Sequence, residues 1–160
     1  MAEVADTSPR GIGGWLILVV IGLVLTPFRV GYFLLTTHWP IFRDGAWPIL
    51  TTPGTEAYHP LWGPLIVFEI VGNLGCIALA VIGLWLLLRK SRHAPRAVTG
   101  LLAWAALFGV IDYFAGDLIP AVAAEPDPND LGQLARTLVS AAIWIPYFRL
   151  SRRVKATFTE

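Results

Sequence analysis

The 160-residue chain is 56% hydrophobic and 14% charged, with a formal net charge of +1 at pH 7 and a mean hydropathy of +0.64. Soluble domains carry charged residues at about 25%, so this composition excludes an ordinary soluble fold, and the near-balanced charge leaves no basic footprint for a nucleic acid. The single cysteine, Cys76, excludes an intrachain disulfide.

Four apolar stretches approach the ~20 residues that a helix needs to cross a bilayer. They predict an all-α integral membrane four-helix bundle, one domain over 1–160, with spans at about 13–37, 63–88, 97–120 and 131–148. The first is long, barely basic at its front and lacks a prompt small-residue cleavage pattern, so it reads as a retained signal anchor. Within it Pro27 lacks a backbone donor and crowds the preceding turn, which predicts a kink just before Arg29. The long 38–62 connection holds Pro40, Pro48, Pro53 and Pro60 together with Trp47, Tyr58, His59 and Trp62. Its rings suit a membrane interface, either as a lid over what lies beneath or as a belt tethering two spans. The second span carries Glu69 and Asn73, the third Asp112 and Asp117, and the fourth Arg136 among Gln133 and Ser140. Ala141-Ala-Ile-Trp-Ile restores enough apolar weight for the fourth to insert beside partners.

Nine of the twelve Lys and Arg fall on one side of this plan: Arg10, Arg89, Lys90, Arg92, Arg96, Arg149, Arg152, Arg153 and Lys155. The other side has Arg43, with Glu125, Asp127 and Asp130 in the second outer connection. The bias of Lys and Arg toward the cytoplasm then places both termini inside, with the long loop between helices one and two outside. At ~1.5 Å of rise per residue, Arg29, Glu69, Asp112 and Arg136 all fall in the outer half, and Asp117 lies at the rim. Three- and four-residue steps align Glu69, Gly72, Asn73, Cys76, Ala80 and Gly83 on one face of span two. The same steps align Ala105, Gly109, Asp112 and Gly116 on span three, Gly22, Thr26 and Arg29 on span one, and Gln133, Arg136 and Ser140 on span four. Stripes of small and polar residues favour the interior of a membrane bundle. The expectation is therefore a polar cluster of Arg29, Glu69, Asn73, Asp112 and Arg136, with Asp117, Trp47, Tyr58, His59 and Trp62 at its rim or lid.

Several dispersed motifs resemble a bacterial inner-membrane family, domain of unknown function 2569. They are Gly11-Ile-Gly-Gly-Trp-Leu, Leu50-Thr-Thr-Pro-Gly-Thr-Glu-Ala-Tyr-His-Pro-Leu-Trp, Phe68-Glu-Ile-Val-Gly-Asn, Ile143-Trp-Ile-Pro-Tyr-Phe and Ser151-Arg-Arg-Val-Lys-Ala-Thr-Phe. The resemblance covers nearly the whole chain and implies a four-span bacterial membrane protein; it implies no activity and no catalytic residue.

Enzymatic motifs are lacking: no phosphate-binding glycine loop, nucleophile elbow or Cys-x-x-Cys pair occurs. His38 and His59 with Asp44 and Glu56 lack metal-ligand spacing, so neither metal nor cofactor is expected, and no enzyme. Two readings stay open. In the favoured one the charges form an ion-pair network that holds the bundle together, in a structural or accessory role beside the lipid bilayer, as a homo-oligomer or within a larger membrane assembly. In the alternative they line a pocket open to the extracytoplasmic side that binds or transports a small polar or charged molecule. The cytoplasmic half of the spans holds no ionisable residue but Cys76, which disfavours a simple channel or pump.

Overall fold

A computed structural model describes residues 11–159; Arg10, used above for orientation, lies outside them. Every regular element among the described residues is helical. Helix α1, Trp15–Phe33, continues through a π-helical turn, Leu34–His38, into α2, Trp39–Arg43. The short α3, Ala46–Thr51, precedes α4, Trp62–Leu88, which leads to α5, Ala94–Gly116. After α6, Pro120–Ala124, come α7, Pro128–Leu150, and the short α8, Arg152–Thr157.

Three of these are long and apolar enough to cross a membrane: the continuous Trp15–Arg43, α4 and α5. The fourth expected span forms a 23-residue helix, α7. Asp130, Arg136 and Arg149, with Gln133 and Asn129, keep its composition below that of the other three. Each of the first three exposes many large apolar side chains, Leu25, Phe28, Val71, Leu74, Leu107 and Phe114 among them, as helices that are hydrophobic all round do in lipid.

Local chemistry accounts for the ends. Asp127 caps α7, its carboxylate accepting from the Asn129 backbone N–H at 2.8 Å, and Pro128 follows at the first helical position, where a missing donor costs nothing. Helix α4 stops where Lys90 turns to a φ of 52°. The Ser91 N–H then bonds back to Leu86 and the Lys90 N–H to Leu87, satisfying carbonyls that the helix end leaves open.

The long helices pack in chain order, α1 on α4, α4 on α5 and α5 on α7. Between helices α4 and α5 the Phe108 ring sits against Gly72, where any Cβ would overlap it. There the Trp104 indole N–H donates to the Gly72 carbonyl at 3.2 Å. Leu16, Val19 and Leu23 of α1, Cys76, Ala80 and Leu87 of α4, Val98 and Leu101 of α5, and Phe148 of α7 form the buried core, joined by Val154 and Phe158. This core lies at the end where the two ends of the described chain meet, for the Gly11 N–H donates to the Thr157 hydroxyl at 3.0 Å. Trp15 and Trp144 bring α1 and α7 together at that end, ring centroids 6.5 Å apart.

Span one departs from expectation in two ways. Pro27 lies inside a continuous α1, and an irregularity falls seven residues or more further on, in the π turn. Pro40 has no N–H for the Thr36 carbonyl and its ring crowds that carbonyl, and the widened turn just before it relieves the crowding. The Trp39 N–H correspondingly bonds to Leu34, five residues back. In addition, Gly22, Thr26 and Arg29 do not form the buried face. Leu16, Val19, Leu23 and Val30 do, about a quarter turn away. The small stripe instead borders a cleft of about 150 Å3 between α1, α5 and α7, lined by Gly22, Thr26, Val98, Leu101, Ser140 and Trp144 among others.

Candidate functional site

The π turn delivers the side chain that organises the opposite end of the molecule. His38 is only 2% exposed. Its Nε2 lies 2.6 Å from Glu69 Oε2 of α4, and its ring meets Phe33 edge-on at 5.2 Å. The contact ties the last third of the first apolar helix to the first third of the second. Sequence reasoning weighs His38 as a metal ligand or, more simply, as an interfacial hydrogen-bonding residue, and leaves it outside the cluster. Its one sequence signal is proximity to Pro40, which disturbs helical phase just where phase decides facing.

The other expected cluster residues divide. Asp112 is half-buried, with Oδ1 enclosed and without a hydrogen-bond partner, and the charges of Glu69, Asp130 and His38 act on it. Asn73 stays within its own helix, its amide donating to the Glu69 carbonyl at 2.8 Å. Arg29 and Arg136 are both exposed. The carboxylates in ion pairs among the described residues are Glu69, held by His38, and Asp44, held by Arg43, so neither Arg29 nor Arg136 meets a described carboxylate. The pairing of arginines with Glu69 and Asp112 that charge balance suggested is not formed.

The 38–62 connection is helical in α2 and α3. Trp47 of α3 stacks on Phe42 of α2 at 5.1 Å, and α3 rests against α4, where Trp47 and Thr51 face Gly63. Trp62 and His59 are half-buried and Tyr58 is exposed. His59 Nδ1 accepts from the Leu61 N–H at 3.4 Å, a local turn contact. Asp117 is exposed at the end of α5. Arg43 and Asp44 pair on the surface at 2.7 Å, and the guanidinium's hydrogen bond holds the Asp44 carboxyl below its usual value. In the first turn of α7, ahead of its apolar part, burial and then the charges of Asp127 and Glu69 push the Asp130 carboxyl up.

This end of the molecule therefore holds three carboxylates within electrostatic reach of one another, Glu69, Asp112 and Asp130, with His38 as the partner in contact. Among the described residues no set of three or more His, Cys, Asp or Glu is arranged to hold a metal ion. A second cavity, of about 230 Å3, lies at the other end between Arg92, His93 and Arg96.

Comparison with known proteins agrees with this membrane architecture. The chain is 29% identical to the inner membrane protein YdgK of Escherichia coli strain K12, over 96% of this chain and 97% of that protein. No solved structure matches. A family profile described as "Protein of unknown function (DUF2569)" matches residues 9–159, and the chain belongs to that family.

Proposed function

We propose that this is an accessory protein of the bacterial inner membrane that docks on a membrane partner through the seam between α1 and α7. The observation that carries this reading is Arg29. It is the fifteenth residue of the 29-residue apolar helix Trp15–Arg43, it is exposed, and among the described residues no carboxylate neutralises it. A charge at that depth costs ~3 kcal/mol or more unless it is paired or hydrated. Gly22 and Thr26 precede it on the same stripe and border the cleft facing Ser140, and small residues of this kind let a further helix approach closely. The structural part of the role falls to the buried His38–Glu69 contact, which fastens the outer end of the first span to the second. In this reading α7 is a fourth span completing the bundle, both termini face the cytoplasm as the distribution of Lys and Arg requires, and the α2–α3 segment lies outside.

The test is the native size of the protein extracted from its own membrane in mild detergent. The wild type should migrate well above the 17.5 kDa of one chain, and Arg29→Gln should return it toward the single-chain size. A wild type that already migrates as one chain would refute docking. A size at a small multiple of one chain would identify the partner as a second copy.

A further inference from the structure

Among the described residues, two enclosed side-chain polar atoms lack a hydrogen-bond partner, His38 Nδ1 and Asp112 Oδ1. Both belong to the same electrostatic cluster, since His38 and Glu69 act on Asp112. Natural interiors rarely leave such atoms unmet, because each costs about 1–3 kcal/mol. The chemistry of the imidazole sharpens this. If neutral His38 donates through Nε2 to Glu69, Nδ1 is a bare acceptor; if His38 is charged, Nδ1–H is a donor without an acceptor. Either way, one proton more or less changes what the cluster satisfies.

The charged groups around it come from every neighbouring element. Glu69 stands on α4, Asp112 on α5, Asp130 on α7 with Asp127 behind it, and His38 on the π turn. On α1 Arg29 is exposed, and on α2 Arg43 is engaged by Asp44. The cluster is thus acidic, with no described arginine in contact to balance it. A metal ion would need a ligand set that the described residues do not arrange. A proton needs neither a cavity nor a coordination shell.

We propose that His38, Glu69 and Asp112 form a binding site for an exchangeable proton, reached from the end of the molecule that carries α2 and α3, whose occupancy sets how firmly that end is fastened to α4. Toward the opposite end the buried interior among the described residues consists of Leu23, Cys76, Ala80, Val98 and Leu101, with the Cys76 thiol and, packed against this core, the Tyr147 phenol as its ionisable groups. The proton therefore goes no further, and the site senses rather than conducts. That it faces the extracytoplasmic side rests on the orientation given above and not on docking at Arg29.

The sign follows from the carboxylates. Asp130 is pushed up in the folded protein, so its contribution to stability is present below its ordinary value and is lost as the pH rises through the raised one. Charging Asp112 beside Glu69 adds like-charge repulsion of the same sign. Full-length protein in detergent micelles, melted between pH ~5 and ~8, should lose roughly 3–8 °C in Tm as the pH rises. Asp112→Asn should flatten that profile by at least half without melting lower than wild type at the alkaline end. A wild-type Tm independent of pH, or an Asp112→Asn profile as steep as wild type, overturns the proposal. If that variant does not fold, infrared spectra of the wild type decide. A protonated-carboxyl band that changes between the two ends of that pH range is expected, and a band independent of pH overturns the site. The proposal is separable from the fastening role: His38→Asn and Glu69→Gln lowering Tm at every pH, with the Asp112→Asn slope unchanged, would leave the clasp standing and remove the proton site.

Discussion

Glu69 shows how facing and pairing differ at the scale of a residue. Its position on a stripe of small and polar residues places it toward a neighbouring helix, and the structure keeps it there with a partner from the π turn. Truncating His38 to Ala leaves that carboxylate without its contact. Because the Glu69 side chain is 25% exposed, water recovers part of the loss, and unfolding in micelles should become easier by about 1–3 kcal/mol, less than the roughly 3–5 kcal/mol of a sealed ion pair. The double charge exchange Arg136→Glu with Glu69→Arg, which would restore a direct pair, should restore nothing in the same assay. Arg136 is exposed and Glu69 already has His38.

At the scale of the element, glycine positions separate close packing from open seam. Gly72 lies buried against the Phe108 ring, and Gly75 faces the Trp104 indole, whose Nε1 would stand 3.3 Å from a Cβ there. Gly72→Ala must push the Phe108 ring aside, and overpacking of this kind costs roughly 1–3 kcal/mol, which thermal unfolding would register as a lowered Tm. At Gly22, by contrast, a methyl group would meet nothing within 4 Å. Gly22→Ala should leave Tm unchanged or raise it, because alanine is the better helix former by up to ~1 kcal/mol. If Gly22→Ala proved as costly as Gly72→Ala, the α1–α7 seam would be closed in the working protein. The same contrast explains why similar stripes in the sequence met different fates. That of α4 receives the Phe108 ring of α5 at Gly72, that of α5 turns Gly109 toward Leu134 of α7, and that of α1 borders a cleft.

For the whole molecule, the hydrogen bonds between Gly11 and Thr157 put the two ends of the described chain on one side. In the proposed topology an even number of crossings then requires α7 to span, although it is the most polar of the four long helices. A fluorescent protein fused after residue 160 should fold and fluoresce inside the cell. Alkaline phosphatase inserted at Glu125, between α6 and α7, should be active because it lies outside. The reverse pattern would invert the orientation, and an inactive insertion together with a fluorescent C-terminus would remove α7 from the membrane. The orientation rests on the basic residues at the ends of the helices, Arg89, Lys90, Arg92 and Arg96 above all, which resist transfer across the bilayer.

The class of fold was legible because it depends on quantities that a sequence carries without coordinates. Apolar length, the break residues between spans, the helical repeat of Gly72, Cys76, Ala80 and Gly83, and the family motifs from Gly11 to Phe158 all belong to this kind. Only the tertiary structure decided which polar side chains meet. One widened turn before Pro40 puts His38 against Glu69, and the facing that α1 and α7 take leaves Arg29 and Arg136 exposed. Helical periodicity fixes angle within an element, but a pair contact depends on the rotation, height and neighbours of two elements together, and those are set by packing across the whole molecule.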